Sequence, residues 1–480
     1  MSPTQAIDVQ DTQGLLASGY GHLPEACYLL AQIADPAGAC AWLGESADKV
    51  TTAAGRSGGP AMNIALTRHG LSRLGLGADV LAGFSLQFRE GMTTEHRRRV
   101  LGDRDESAPE QWSWGGPTTP VVDVLVALYA ADGPGLDAVV ERTGAGLRAA
   151  GVSVLTRLGS AHSEREHFGF RDGIAQPAIE GLRGGRPDDT VKPGEFLLGY
   201  RNEYGLYTER PLVAPAADPG GVLPVDAEGS DRRDLGRNGT YLVVRQLSQD
   251  VPAFWSFLDE ASANADGNGD GDRLALAAKM VGRWPGGAPL VLSPQRDDPR
   301  FADADDFGYH EHDPNGLRCP LGAHVRRTHP RDSLDPDPGT ERSIVVDKHH
   351  RLLRRGRAYG TAMAAQAALE AAATRSANGS AVPADERGLH FICLCANLAR
   401  QFEFVQHTWC NNPKFNGLYQ DGDPLIGPAD RTFTVQALPA RRRIGGLPSF
   451  VQVRGGAYFF LPGIRALRYL AGLDPTEPSA

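Results

Sequence analysis

No stretch of this 480-residue chain reaches the ~18 consecutive apolar residues that a bilayer-spanning helix needs. Its start, Met1 to Gln13, is polar and acidic, with no basic n-region, no apolar h-region and no twin-arginine pair. These absences predict a cytoplasmic protein without a membrane partner. Positive charge is also short. The net charge of −9 argues against a nucleic-acid partner, since phosphate binding wants clustered cations. Cysteine is sparse: six residues, at positions 27, 40, 319, 393, 395 and 410, do not make a disulfide framework in so long a chain. Cys393 and Cys395 fall on the same face of a predicted strand, a poor geometry for bridging each other, so free thiols in a reducing compartment are expected. No Cys/His set has the spacing of a closed zinc cage. His310, Glu311 and His312 lack a well-placed third ligand and read as a surface turn. No short-period repeat is visible.

What is present is a globular composition, 41% hydrophobic and 22% charged, in a chain long enough for two cores. Residues 1–20 read as a loose arm. Asn63 to Leu74 has the apolar spacing of an amphipathic helix, with Gly75 where a C-cap falls. Val121 to Ala130 is a nearly continuous apolar run, expected to be a buried strand. Residues 213–238, rich in Pro, Gly and Asp, read as a linker between domains at 21–212 and 239–470, with a tail at 471–480. Past the linker, Thr240 to Leu247 reads as a strand and Val251 to Ala261 as a helix that tolerates Pro252 in its first turn. Leu389 to Cys395 is again strand-like, and helical spacing runs from Leu398 to about Trp409. Ala362 to Ala373 has strong helix propensity and no assignable role. Strand-then-helix units in both halves predict an α+β fold in two similarly built domains.

Chemistry concentrates in a few segments. Cys319-Pro320-Leu321-Gly322-Ala323-His324-Val325-Arg326-Arg327 sets one histidine beside guanidinium groups in an acidic chain. A lone histidine serves as the single axial ligand of a haem, with arginines pairing to the propionates, or simply as a satisfied core histidine. Gly169-Phe170-Arg171-Asp172-Gly173 displays an acid on a glycine-flanked turn, suited to proton transfer near a flat ligand, though such a string taken alone is more often an ordinary Asx turn. Leu352-Leu353-Arg354-Arg355-Gly356-Arg357 offers three permanent cations for charge stabilisation, and spacing does not say which points inward. Glu403, on an apolar helix face, fits either a carboxylate behind an axial histidine or a buried salt bridge. Arg441 to Arg443 reads equally as a solvated surface run.

Several of these segments, in order, resemble the dye-decolourising peroxidase family. They are Asn63 to Leu66, Phe88-Arg89-Glu90-Gly91-Met92, Leu101-Gly102-Asp103, Trp112-Ser113-Trp114-Gly115, Gly169 to Pro177, Leu242 to Val251, the His324 segment, Phe402 to Gln406 with Trp409, and Asp423-Pro424-Leu425-Ile426-Gly427. The likeness covers about residues 20–465 and looks most like the larger C/D subtype. It implies two ferredoxin-like domains, antiparallel sheets with packed helices, and one haem b per chain in the C-terminal domain. Carried over by position, His324 is the iron ligand, Asp172 the distal acid–base residue and Arg354 the distal arginine. Glu403 becomes the partner of the ligand, and Arg326 and Gln176 become cofactor contacts. The implied activity is reduction of hydrogen peroxide with one-electron oxidation of small aromatic donors through a ferryl intermediate, with homo-oligomerisation left open. Two departures stand out: His329-Pro330-Arg331 where the family often has Asn-Pro-Arg, and Ala358-Tyr359-Gly360 where a proline usually precedes the aromatic–glycine pair. A haem carrier or sensor is the alternative, disfavoured because a carrier needs neither Asp172 nor Arg354. A non-haem metal hydrolase lacks a ligand set.

Overall fold

The computed structural model describes residues 6–55, 58–266, 269–378 and 386–475. The run Val124–Ala130 forms a strand buried at all seven positions, as its continuous apolar character requires. It belongs to the first of two antiparallel units. This unit comprises β1 (Glu25–Ile33), β2 (Ala61–Leu66), β3 (Val124–Ala130) and β4 (Val152–Ala161), in the order β4-β1-β3-β2. Helix α1 (Pro36–Ala47) follows β1, and α2 (Gly133–Ala149) follows β3. The second unit comprises β5 (Thr240–Gln249), the short β6 (Leu353–Arg354) and β7 (Arg357–Tyr359), β8 (Gly388–Cys395) and β9 (Val451–Leu461). Its order, β9-β5-β8-β7, repeats that of the first, and both are ferredoxin-like.

The two units are not separate sheets. Ala358 on β7 pairs with Ala161 on β4, and Phe460 on β9 pairs with Leu66 on β2, so the strands close into one barrel. Strand alternation then sorts side chains into two compartments. Ala26, Tyr28 and Leu30 of β1 join Ile392 and Leu394 of β8 in the barrel interior. Cys27, Leu29 and Ala31 join Cys393 and Cys395 in the outer core beneath the helices. The two last-named cysteines share a face, as expected, and all six are free and buried. On the C-terminal half, the outward residues Leu247, Leu389, Phe391 and Val453 instead wall a large cavity.

Several expectations need correction. The segment Asn63–Leu74 is not one helix. Ala61–Leu66 is a strand, and Thr67 starts a short helix over Arg68–Arg73 by accepting the Gly70 amide on its hydroxyl. The described part of the arm is not loose: Leu15 and Leu16 are buried against the barrel end and their carbonyls accept from Arg355, while residues 1–5 lie outside the described residues. The segment 213–238 is no open linker, because Leu223 and Leu235 join the core and Arg210 binds Asp226 and Asp234. The helical expectations over Val251 and Ala362 hold as α3 (Val251–Asp266) and a helix over Ala365–Asn378. Leu398 to Trp409 is helical but wound wide, as π-type turns over Ala399–Glu403 and Val405–Cys410. Among the described residues no helix is long and apolar enough to cross a membrane.

Candidate active site

One cavity of about 1110 Å³ gathers Asp172, His324 and Arg354. Asp172 sits on the turn after β4, flanked by Gly169 (φ +99°) and Gly173 (φ +79°), backbone that only glycine adopts without strain. Its Oδ1 accepts the Gly173 amide at 2.6 Å and Arg354 Nη1 at 2.7 Å. Burial opposes its charge, but the Arg354 guanidinium and the Gly173 amide outweigh that and hold its carboxyl below the usual range. It therefore rests ionised, the form a proton acceptor needs. Arg354 is placed by β6, whose two residues pair with β8, and by Gln176 Oε1, which accepts the Arg354 amide at 3.0 Å. Arg355 and Arg357 turn the other way, onto carbonyls of the chain between Leu15 and Pro24. The choice among the three arginines, open in the sequence, falls on Arg354.

His324 opens the short helix α4 (His324–Thr328). Its Nδ1 lies 2.8 Å from Asp423 Oδ2, and Asp423 is fully buried. A carboxylate only accepts, so the proton sits on Nδ1 and the lone pair on Nε2. Burial disfavours the charge on Asp423, but His324, Arg327 and the Ile426 amide pull its carboxyl down to about 2. Its Oδ1 accepts the Leu425 and Ile426 amides at 2.9 and 3.1 Å, which fixes its plane. Burial works against a charged His324, yet Asp423 outweighs it and shifts the imidazole upward, a sign of increased basicity. Arg327 braces the helix from beneath through the carbonyls of Trp409 and Asn412.

Three sequence-assigned residues are not brought to the cavity. Glu403 does not back His324. It is buried 306 residues along the chain from Arg97, donates nothing, and accepts from Arg97 Nη1 at 2.7 Å and the Tyr458 hydroxyl at 2.8 Å. Arg326 is wholly buried over the Tyr309 ring, bound to the Asp313 and Cys319 carbonyls, and outside the cavity lining. Gln176 accepts the Arg354 amide on its Oε1 and lies outside the cavity lining. Asp423 takes the part expected of Glu403. The signal was present in Asp423-Pro424-Leu425-Ile426-Gly427, an acid ahead of an apolar turn, but nothing local links it to a histidine 99 residues away.

The residues present fit a haem. Of the lining histidines His324, His329 and His407, His324 has its Nδ1 held on Asp423 and its Nε2 free, while His329 Nε2 lies against Asp347; Leu352, Leu389, Phe391 and Val405 supply apolar walls, and Asp172 with Arg354 supplies a carboxylate–guanidinium pair. Cations for propionates also line the cavity, at Arg331 and Arg351, and the buried Arg331 Nε lacks a partner among the described residues. Arg331 belongs to the His329-Pro330-Arg331 variation noted in the sequence. Among the described residues no cluster of His, Cys, Asp and Glu forms a separate metal site.

No family model matches the chain. A dye-decolorizing peroxidase from Exidia glandulosa is 32% identical over 428 residues, spanning 85% of this chain and 75% of the relative. A second, from Mycetinis scorodonius, is 31% identical over 326 residues, spanning 63% of this chain and 56% of the relative. A solved fungal DyP-type peroxidase from Auricularia auricula-judae superposes with a TM-score of 0.76 at 26% identity, covering 98% of this chain and 100% of that one.

Proposed function

The chain belongs to the dye-decolourising peroxidase family and is a haem peroxidase, and we propose that His324 holds the iron, Asp172 moves the proton and Arg354 stabilises charge. The observation that carries this assignment is the ionised Asp172, paired to Arg354, sharing one cavity with an imidazole whose Nδ1 proton is fixed on Asp423. The haem, when bound, supplies the iron and the redox equivalents. We assign it as haem b, one per chain, because the one cavity presents His324 as its axial ligand and the six buried cysteines include no Cys-x-x-Cys-His attachment string.

Asp172 takes the proton from one oxygen of hydrogen peroxide and returns it to the other, which leaves as water. Its depressed pKa keeps it ready for the first transfer. Arg354, fixed and always charged, offsets the negative charge that grows as the oxygen–oxygen bond lengthens. Asp423 keeps His324 oriented and electron-rich. Small aromatic molecules are the proposed electron donors, and the free thiols support a reducing, cytoplasmic setting.

The test is rapid mixing of haem-replete protein with one equivalent of peroxide, followed by its visible spectrum. Asp172→Asn is expected to slow the peroxide step by about 100-fold or more. An unchanged rate would remove Asp172 from the mechanism and favour a haem carrier.

A further inference from the structure

The turn that presents Asp172 is folded around a second carboxylate. Glu166 Oε2 accepts the Phe168 amide at 2.8 Å, and Oε1 accepts the Phe170 amide at 2.9 Å. Its own backbone closes the same loop, with the Glu166 amide donating to the Phe170 carbonyl and the Gly169 amide to the Glu166 carbonyl, both at 2.9 Å. A third donor comes from the other half of the molecule: Gln249 Nε2, at the end of β5, lies 2.7 Å from Glu166 Oε2. Both Glu166 and Gln249 line the cavity, and Gln249 Oε1 is buried without a partner among the described residues.

Nothing in the proton transfer itself uses this carboxylate. Isolated buried acids are costly, and a neutral glutamine would satisfy only one of two backbone amides as well. We propose that Glu166 is a positioning residue for Asp172, folding the catalytic turn and, through Gln249, fixing it to the C-terminal half. The proposal rests on the assignment of Asp172 as the proton carrier.

Glu166 and Asp172 do not share a titration range. Burial raises the Glu166 carboxyl above its ordinary value, whereas Arg354 and the Gly173 amide outweigh burial and hold Asp172 below its own. Arg354 from β6, His324 from α4 and Glu166 from its own loop are the titratable groups beside Asp172. Glu166 is already neutral at the acid pH where Asp172 takes up its proton, so replacing it by glutamine displaces the turn and leaves the acid limb in place.

The experiment measures the peroxide step of haem-replete Glu166→Gln, Gln249→Leu, Glu166→Asp and Asp172→Asn as a function of pH, with haem content and far-UV circular dichroism as controls. Glu166→Gln is expected to keep its haem and to lose about 10- to 100-fold in rate through misplacement of the acid, with the acid limb of the profile unmoved. Gln249→Leu removes the tie to the C-terminal half, so its rate falls while the limb again stays in place. Glu166→Asp, which keeps a carboxylate for the backbone amides, recovers part of the lost rate. If Glu166→Gln does not fold, the Gln249→Leu result decides. A wild-type rate and profile in Glu166→Gln, or in Gln249→Leu where the former is lost, overturns the proposal. An unaffected Asp172→Asn would instead overturn the assignment beneath it.

Discussion

At the residue scale, Asp423 stands behind His324 where the resemblance put Glu403, and Glu403 takes the buried ion pair that was its other reading. Asp423→Asn preserves shape but removes the anion behind His324 Nδ1. Outer partners of metal-bound histidines are worth about 10- to 100-fold in affinity or activity. The variant is therefore expected to lose haem more readily and to show a more positive ferric–ferrous midpoint, checked by spectroelectrochemistry. Glu403→Gln has the opposite profile. It strips a buried acceptor from Arg97 and Tyr458 while the His324–Asp423 bond stays intact, and should cost about 3 kcal/mol of stability in urea unfolding with the midpoint potential unmoved. The family resemblance singled out His324, Asp172 and Arg354, and the fold brings all three to one cavity. The sequence did not show second partners such as Asp423 or Arg331, because these pairings span long sequence separations that only the closed sheet brings together. Arg326 illustrates the same gap: two positions from His324 in sequence, it turns away from the cavity and stacks over Tyr309.

At the element scale, helical spacing and strand alternation compete over short apolar runs. Asn63 to Leu74 satisfied the helical pattern, yet its first four residues are needed as β2 between β3 and β9, and Thr67 ends the ambiguity. The Thr67 hydroxyl both caps the helix and donates to the Val122 carbonyl at 2.8 Å. Thr67→Ala is expected to cost about 1 kcal/mol, measured as a shift in the urea midpoint at constant slope. The β8 alternation was legible, and it also sends His390 into the barrel interior. There the ring stacks on Tyr359 at 4.5 Å and its Nε2 lies 3.2 Å from the Gly159 carbonyl. Burial depresses its pKa to about 4 from an ordinary value near 6.5. The unfolded chain binds this proton below pH 6.5 and the folded chain does not until pH 4. Stability from this group is thus full above 6.5 and falls by ~1.4 kcal/mol per pH unit down to about 4. His390→Gln should flatten the stability–pH slope across that window by one proton. An identical slope in the two proteins would mean that His390 is protonated in the fold.

At the scale of the whole molecule, the repeated strand-then-helix units correctly announced two ferredoxin-like halves, but the boundary drawn at 213–238 treated composition as independence. Proline, glycine and aspartate there build a buried ion cluster: Arg210 is 4% exposed at its side chain and binds Asp226 and Asp234. Closure of the barrel was not legible, since it turns on pairings as sparse as Leu66 with Phe460 and Ala161 with Ala358. That closure has a functional consequence. Asp172 comes from the N-terminal half and Arg354, His324 and Asp423 from the C-terminal half, so the site exists only when the halves share one sheet. Shared strands, a common interior core and the Glu166–Gln249 bond all couple the two halves. Cofactor-free protein is therefore expected to unfold in urea as one cooperative step, despite its length. Two probes can follow the halves separately. Single-tryptophan variants retaining Trp42 on α1 or Trp255 on α3 report on the first and second half, both being buried in their cores. Coincident midpoints and slopes for the two variants are the expected result. Midpoints that separate would show two independently stable domains meeting at a docking seam, and the barrel would then be an assembly of preformed parts rather than a single folding unit.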